Sequence, residues 1–104
     1  MATVVTDATY DEEVAKSAIP VMIDFFAEWC GPCKQLTPIV EELAGEWEGK
    51  VKIVKLNVDD SQETAQKFGV MSIPTLVFLK DGEEVDRVTG ALPKTALEEK
   101  LKAL

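Results

Sequence analysis

Apolar and polar residues alternate along this chain in blocks that predict five strands and four helices. Short apolar runs, rich in β-branched and aromatic residues, predict strands. These runs are Val4–Val5, Val21–Ala27, Val51–Leu56, Thr75–Leu79 and Val85–Thr89. Helical periodicity fills most of the gaps, because apolar residues there recur every three or four positions. The predicted helices are Thr9 to Ser17, Pro32 to Trp47, Asp60 to Phe68, and a last one from Pro93 with Leu97, Leu101 and Leu104 on one face.

Local signals place the helix ends. Thr9 followed by Glu12 resembles a capping box, and the sequence Ile19-Pro20 closes that first helix. Pro32 suits a first helical position, whereas Pro38 lies inside the second helix and should kink it without ending it.

The third helix and the last two strands also carry terminal signals. Asp60 and Glu63 are expected to cap the third helix, and Gly69 to stop it. Asp81-Gly82 predicts a tight hairpin, so the last two strands are antiparallel. The order βαβαβαββα therefore predicts an α/β fold, a central mixed five-stranded sheet flanked by four helices. Its 104 residues suit a single domain, 1–104.

Composition narrows the class of protein. No apolar run approaches the length of a membrane span, and Met1 to Asp7 lacks the features of a secretory signal, so we expect a cytoplasmic location. A net charge of −8 disfavours nucleic acid and anionic lipid as partners. Histidine is absent, which excludes a Cys-His nucleophile pair and a histidine general base.

Two cysteines, Cys30 and Cys33, are the main candidates for chemistry. They lie at the junction of an apolar strand and the following helix, close enough for their sulfurs to meet. A thiolate at a helix N-terminus is stabilised by free N–H groups, so Cys30 is the expected nucleophile. Gly31 and Pro32 keep the loop tight, which leaves Cys33 in reach to resolve a mixed disulfide.

Spacing alone leaves other uses of Cys30 and Cys33 open. The pair supplies half of a metal site, so a metal or cluster shared by two subunits is possible, although no metal site can be completed within one chain. A purely structural disulfide is a further alternative. A redox-gated binding module within a larger assembly is the rival function from another class.

Four other residues stand out from their surroundings. Asp24 interrupts a strand expected to be buried, so its carboxyl should be desolvated, with a raised pKa, and could shuttle protons. Lys55 alternates with Ile53 and is a candidate for the inward face. Trp29 lies at the mouth of the cysteine loop, where it offers contact area to a docking polypeptide, whereas Trp47 is expected to pack in the core.

The run Phe25-Phe26-Ala27-Glu28-Trp29-Cys30-Gly31-Pro32-Cys33-Lys34 resembles the active-site signature of the thioredoxin family. Further matches follow along essentially the whole chain: Asp24, Pro38, Lys55 to Asp59, Ile73-Pro74-Thr75 and Gly90-Ala91. One departure is Thr89, a position where the family usually carries an apolar residue. That change affects the edge of a docking surface and leaves the chemistry untouched.

The resemblance implies the thioredoxin fold and reduction of protein disulfides through reversible formation of a Cys30–Cys33 disulfide. It places Asp24 beneath the cysteines as proton acceptor for Cys33, with Lys55 tuning that acid. It implies a cis bond before Pro74, and a docking surface formed by Trp29, Ile73, Pro74, Gly90 and Ala91. It further implies a monomer with no bound cofactor and no metal, which receives electrons from NADPH through thioredoxin reductase.

Overall fold

A computed structural model describes residues 2–104. The five strands are β1 Thr3–Val5, β2 Val21–Phe26, β3 Lys52–Asn57, β4 Thr75–Lys80 and β5 Glu83–Thr89. The α-helices are α1 Gly31–Glu46, α2 Gln62–Lys67 and α3 Lys94–Lys102, and a π-helix spans Asp11–Ala15. Every predicted strand is present, and most of the predicted ends lie within one or two residues of those observed.

The strands form one sheet in the order β1-β3-β2-β4-β5. Neighbours β1, β3 and β2 run parallel, while β4 is antiparallel to both β2 and β5. Asp81 and Gly82 join β4 to β5 with φ values of 54° and 80°, as a hairpin turn with two left-handed positions requires. The predicted mixed five-stranded sheet and terminal hairpin are confirmed.

Each face of the sheet buries its own apolar core. One face packs against α1 and α3 through Met22, Leu36, Val40, Leu43, Ile53, Leu76, Phe78, Leu97 and Leu101. The other face packs against the π-helix and α2 through Val5, Tyr10, Val14, Ile23, Phe25, Val54, Leu56, Ala65, Val77 and Leu79. Trp47 packs at the border of the first core, in agreement with its predicted packing role.

The first helix differs from the prediction. It is a single π-helical segment in which the Lys16 N–H donates to the Asp11 carbonyl five residues back, at 3.0 Å. The predicted capping box is wrong, because the Thr9 hydroxyl accepts from the N–H of Thr6 at 2.9 Å and is used within that turn. Glu12 instead pairs with Lys16 at 3.1 Å.

The cap of α2 also differs from the prediction. The carboxylate of Asp7 accepts the N–H groups of Glu63 and Thr64 at 3.3 and 2.8 Å, and the Thr64 hydroxyl at 2.6 Å. The backbone N–H of Asp60 donates to the Asn57 side chain at 3.2 Å, and no side chain of the preceding segment caps the helix. A distant loop therefore supplies the acceptors that we assigned to Asp60.

The long helix α1 continues through Pro38, in agreement with the prediction that this proline does not end it. No helix within residues 2–104 is both long and apolar enough to cross a membrane.

Candidate active site

The two cysteines lie where β2 gives way to α1. Cys30 is the N-cap of α1 in extended conformation, and its Sγ accepts the backbone N–H of Cys33 at 3.2 Å. The sulfurs are joined in a disulfide whose Cα atoms are 5.3 Å apart. Both residues are buried, with exposed fractions of 4% and 2%. When the bond is reduced, the same N–H group and the helix dipole stabilise negative charge on Cys30.

Apolar side chains surround this disulfide. Ala27 is buried with the cysteines, and Phe26, Val58 and Ile73 pack against the three of them. Pro32 occupies the first turn of α1, where its missing N–H leaves no hydrogen bond unmade. The sulfurs therefore lie among apolar side chains and next to backbone N–H donors at the start of α1.

Asp24 is buried in the middle of β2, with an exposed fraction of 1%. It alternates with Met22 and Phe26 and therefore faces the layer of α1, the helix that carries Cys33. Its Oδ1 has no hydrogen-bond partner among the described residues. Burial raises the pKa of the Asp24 carboxyl to about 7, an effect that the Lys55 ammonium opposes and the Glu41 carboxylate reinforces.

Lys55 lies next to Asp24 in the sheet, as its register partner on β3. Its ammonium, however, lies 3.6 Å from Glu41 Oε2 and 5.0 Å from the centre of the Phe26 ring. No ion pair within 4.0 Å joins Lys55 to Asp24 in residues 2–104. The inward placement of Lys55 agrees with the alternation pattern, whereas its direct partner is Glu41, a residue that the sequence analysis missed.

A second loop borders the cysteine cluster. The Ile73–Pro74 peptide bond is cis, and Ile73 packs on the cysteines. The N–H of Gly90 donates to the carbonyl of Pro74 at 2.8 Å, which brings the end of β5 beside this loop. Gly90 has a φ of 98°, a value that favours glycine, and Ala91 after it is exposed. Thr89 is the exposed last residue of β5.

Trp29 lies on the surface, 71% exposed, with its indole N–H donating to Asp59 at 2.9 Å. It forms one wall of a shallow groove of about 340 Å³, lined also by Val58, Val70, Met71, Ser72 and Ile73. Met71 is 97% exposed and lines the same groove as Trp29, so two large apolar side chains are exposed together at this edge of the site. No pattern in the sequence singled out Val58, Val70 and Met71 as lining residues; the place of Met71 two positions before Ile73 was the available signal.

The described residues contain no cluster of three or more His, Cys, Asp or Glu that could hold a metal ion. The disulfide lies in an apolar cluster at the start of α1, and the buried carboxyl of Asp24 with its neighbour Lys55 lies on the sheet face that α1 covers. Such an arrangement suits thiol-disulfide exchange, in which a stabilised thiolate attacks and a nearby base accepts the proton of the second thiol.

Comparison with known proteins gives concordant matches. The thioredoxin family model matches residues 1–103. Thioredoxin 1 of Nostoc is 49% identical over 98 residues, which cover 94% of this chain and 92% of that protein. The thioredoxin of Haemophilus influenzae is 55% identical over 93 residues, covering 89% of this chain and 87% of its own. An M-type chloroplastic thioredoxin of Pisum sativum is 52% identical over 99 residues, covering 95% of this chain and 58% of that protein.

Proposed function

Because this chain belongs to the thioredoxin family and is a thiol-disulfide oxidoreductase, we propose that Cys30 is its nucleophile and Cys33 its resolving thiol. The observation that carries this assignment is the position of Cys30 at the N-cap of α1, where its Sγ accepts the Cys33 N–H. A thiolate placed there is stabilised without a histidine, a residue that this chain lacks.

The reaction runs in two exchanges. The Cys30 thiolate attacks one sulfur of a substrate disulfide, so that a mixed disulfide forms and the other substrate sulfur leaves as a thiolate. Cys33 then attacks Cys30 Sγ, which forms the intramolecular disulfide and releases the first substrate sulfur. Two electrons pass from the cysteine pair to the substrate, and both substrate thiolates end as thiols after protonation.

Asp24 accepts the proton of Cys33 in the second exchange. Its burial, its pKa of about 7 and its place beneath the layer of α1 support this role, because a carboxylate present near neutral pH is then also basic enough to take a proton. Lys55 tunes this acid by its positive charge, which lowers the pKa of Asp24.

Substrates dock as extended polypeptide beside the disulfide. Trp29 and Ile73 supply apolar contact in the groove, while the backbone around Pro74 and Gly90 offers a flat surface with Ala91 at its edge. Gly31 and Pro32 are exposed at the start of α1, so a chain can approach the sulfur of Cys30 from that side.

Proteins of this family act on disulfide substrates and need no bound cofactor. We infer that thioredoxin reductase returns electrons from NADPH to this chain, which acts in the cytoplasm as a monomer and as a single domain, 1–104. A redox-gated binding role stays a prediction of the sequence alone, and partner binding by a double Cys→Ser variant is its test.

Reduction of insulin disulfides by dithiothreitol tests the two cysteine roles. We expect Cys30→Ser to lower the rate to that of dithiothreitol alone, because no attacking sulfur remains. In a separate reaction without dithiothreitol, which would itself cleave the adduct, reduced Cys33→Ser should accumulate a mixed disulfide with substrate that mass spectrometry detects on Cys30. Full activity of the Cys30→Ser variant would contradict this assignment. A substrate adduct on Cys33 of the Cys30→Ser variant, with none on Cys30 of the Cys33→Ser variant, would exchange the two roles.

A further inference from the structure

Glu41 makes two contacts at the inner side of α1 that the roles described above do not use. Its Oε1 accepts the backbone N–H of Ala2 at 2.7 Å, and its Oε2 lies 3.6 Å from the Lys55 ammonium. The side chains are 30% exposed for Glu41 and 16% exposed for Lys55. The backbone N–H of Ala2 thus holds one carboxylate oxygen of Glu41, and the other oxygen lies toward Lys55.

The sheet register makes this contact informative. Asp24 and Lys55 are paired residues on neighbouring parallel strands, so their side chains leave the sheet on the same face. A lysine in that position could place its ammonium on the Asp24 carboxylate. Its ion pair is instead with Glu41, while Asp24 Oδ1 stays without a partner among the described residues.

Several other charged side chains of α1 and α3 form ion pairs that do not involve Asp24. From α3, Lys94 pairs with Glu42 and Glu46 of α1 at 2.9 and 2.8 Å, and Lys100 pairs with Asp86 at 2.7 Å. The neighbour of Asp24 on β4 is Leu76, which carries no charge, and α1 contributes Cys33, held in the disulfide. Within residues 2–104, the charges that shift the pKa of Asp24 are those of Lys55 and Glu41.

We propose that Glu41 is a positioning residue that holds the Lys55 ammonium away from Asp24 and thereby keeps Asp24 able to bind a proton. Two effects of Glu41 act in the same direction: it competes with Asp24 for the lysine, and its own negative charge repels a second one nearby. This inference rests on the proposed role of Asp24 as proton acceptor and adds the residue that sets its affinity for the proton.

The Glu41→Gln variant tests the inference directly. Glutamine keeps the length of the side chain and an oxygen for the Ala2 N–H, but it removes the charge that competes for Lys55. We expect the midpoint of the Asp24 carboxyl titration, followed by carbon NMR in the oxidised full-length protein, to fall by roughly one pH unit. The effect should shrink in a Lys55→Gln background, because the two residues act through one contact.

Glu42→Gln is the matched control. It makes the same change of charge one residue further along α1, where the side chain pairs with Lys94. We expect the Asp24 midpoint of this variant to equal that of the unaltered protein. Equal midpoints in Glu41→Gln and the unaltered protein would overturn the inference, as would an equal fall in both variants, since a general effect of net charge then explains it.

The pH dependence of insulin reduction separates this inference from the role of Asp24 itself. If the Asp24 midpoint falls in Glu41→Gln and the pH profile of turnover moves with it, both proposals gain support. If the midpoint falls and the pH profile of turnover does not change, Glu41 does position the Lys55 ammonium and thereby sets the proton affinity of Asp24. The proposed role of Asp24 as proton acceptor is then wrong.

Discussion

At the scale of the residue, the buried acid Asp24 has a measurable consequence for stability. Its pKa is about 7 in the folded chain against 3.8 for an ordinary aspartate, so the folded state binds more protons than the unfolded state between these values. The contribution of Asp24 to the free energy of unfolding therefore falls as the pH rises from about 4 to about 7, and it levels off above that range.

The Asp24→Asn variant should remove this pH dependence. We expect its stability, relative to the unaltered protein, to improve as the pH rises through the same window, by up to about 4 kcal/mol. Urea unfolding of the oxidised proteins at pH 4.5 and pH 8 measures the difference, and Asp81→Asn at the exposed turn is the control for the same chemical change. A constant difference between the two pH values would show that Asp24 is not protonated on folding.

For single residues of the site, the sequence predicted which side chains are buried but not which side chains they contact. The apolar neighbours of Asp24 along β2 indicated burial, and the alternation of Lys55 with Ile53 indicated its face. Neither pattern could identify Glu41 as the partner of Lys55, because that contact depends on how α1 lies across the sheet. The alternation along a strand predicts which face of the sheet a side chain lies on. Its contacts depend on the helix that packs over that face.

At the scale of the element, α1 was the best predicted helix. Pro32 fixes a backbone angle suited to the first turn, and the expected span from Pro32 to Trp47 differs by one residue at each end from Gly31–Glu46. The π-helix was the least accurately predicted helix. It is so short that tertiary contacts determine its backbone conformation, such as the packing of Tyr10 on Phe68 with 5.9 Å between ring centres.

The final helix allows a test of packing. Leu97 is fully buried on α3, whereas Leu104 at the chain end is only half-buried. We expect Leu97→Ala to lower the free energy of unfolding by roughly 2 to 5 kcal/mol, because the lost side chain leaves a cavity between α3 and the sheet. Leu104→Ala should cost clearly less in the same urea titration. Equal losses would show that α3 does not depend on its buried face.

At the scale of the whole molecule, strand order was beyond the reach of local patterns. The sequence predicted a parallel part followed by a hairpin, and the structure inserts β2 between β3 and β4. This order places the carboxyl end of β2, and therefore Cys30, near the middle of the sheet. Apolar runs define strands, but only the packing of both helical layers decides which strands become neighbours.

The Asp7 cap is a long-range feature of the same kind. It ties the loop after β1 to α2 across 57 residues of sequence, a distance over which no local capping signal operates. Hydrogen bonds from Thr64 hold the pKa of the Asp7 carboxyl below its usual value. The stabilisation is accordingly present at neutral pH and lost as the pH falls through that lowered pKa.

Two alanine variants compare the observed cap with the predicted one. We expect Asp7→Ala to lower the urea midpoint at pH 7, because the N–H groups of Glu63 and Thr64 lose their acceptor. Asp60→Ala should change stability by no more than about 0.5 kcal/mol, as is usual for exposed side chains. A larger loss for Asp60→Ala than for Asp7→Ala would return the cap to the position that the sequence suggested.

Because Cys30 is the N-cap of α1 as well as the proposed nucleophile, replacing its sulfur by oxygen separates its structural role from its chemical role. Serine is among the residues that helices favour at an N-cap, and its oxygen can accept the same Cys33 N–H. The Cys30→Ser variant should therefore keep the N-cap of α1 and lose disulfide exchange. With the proposed docking surface unchanged, this variant should bind substrate polypeptides without reducing them, which would make it a reagent for their capture.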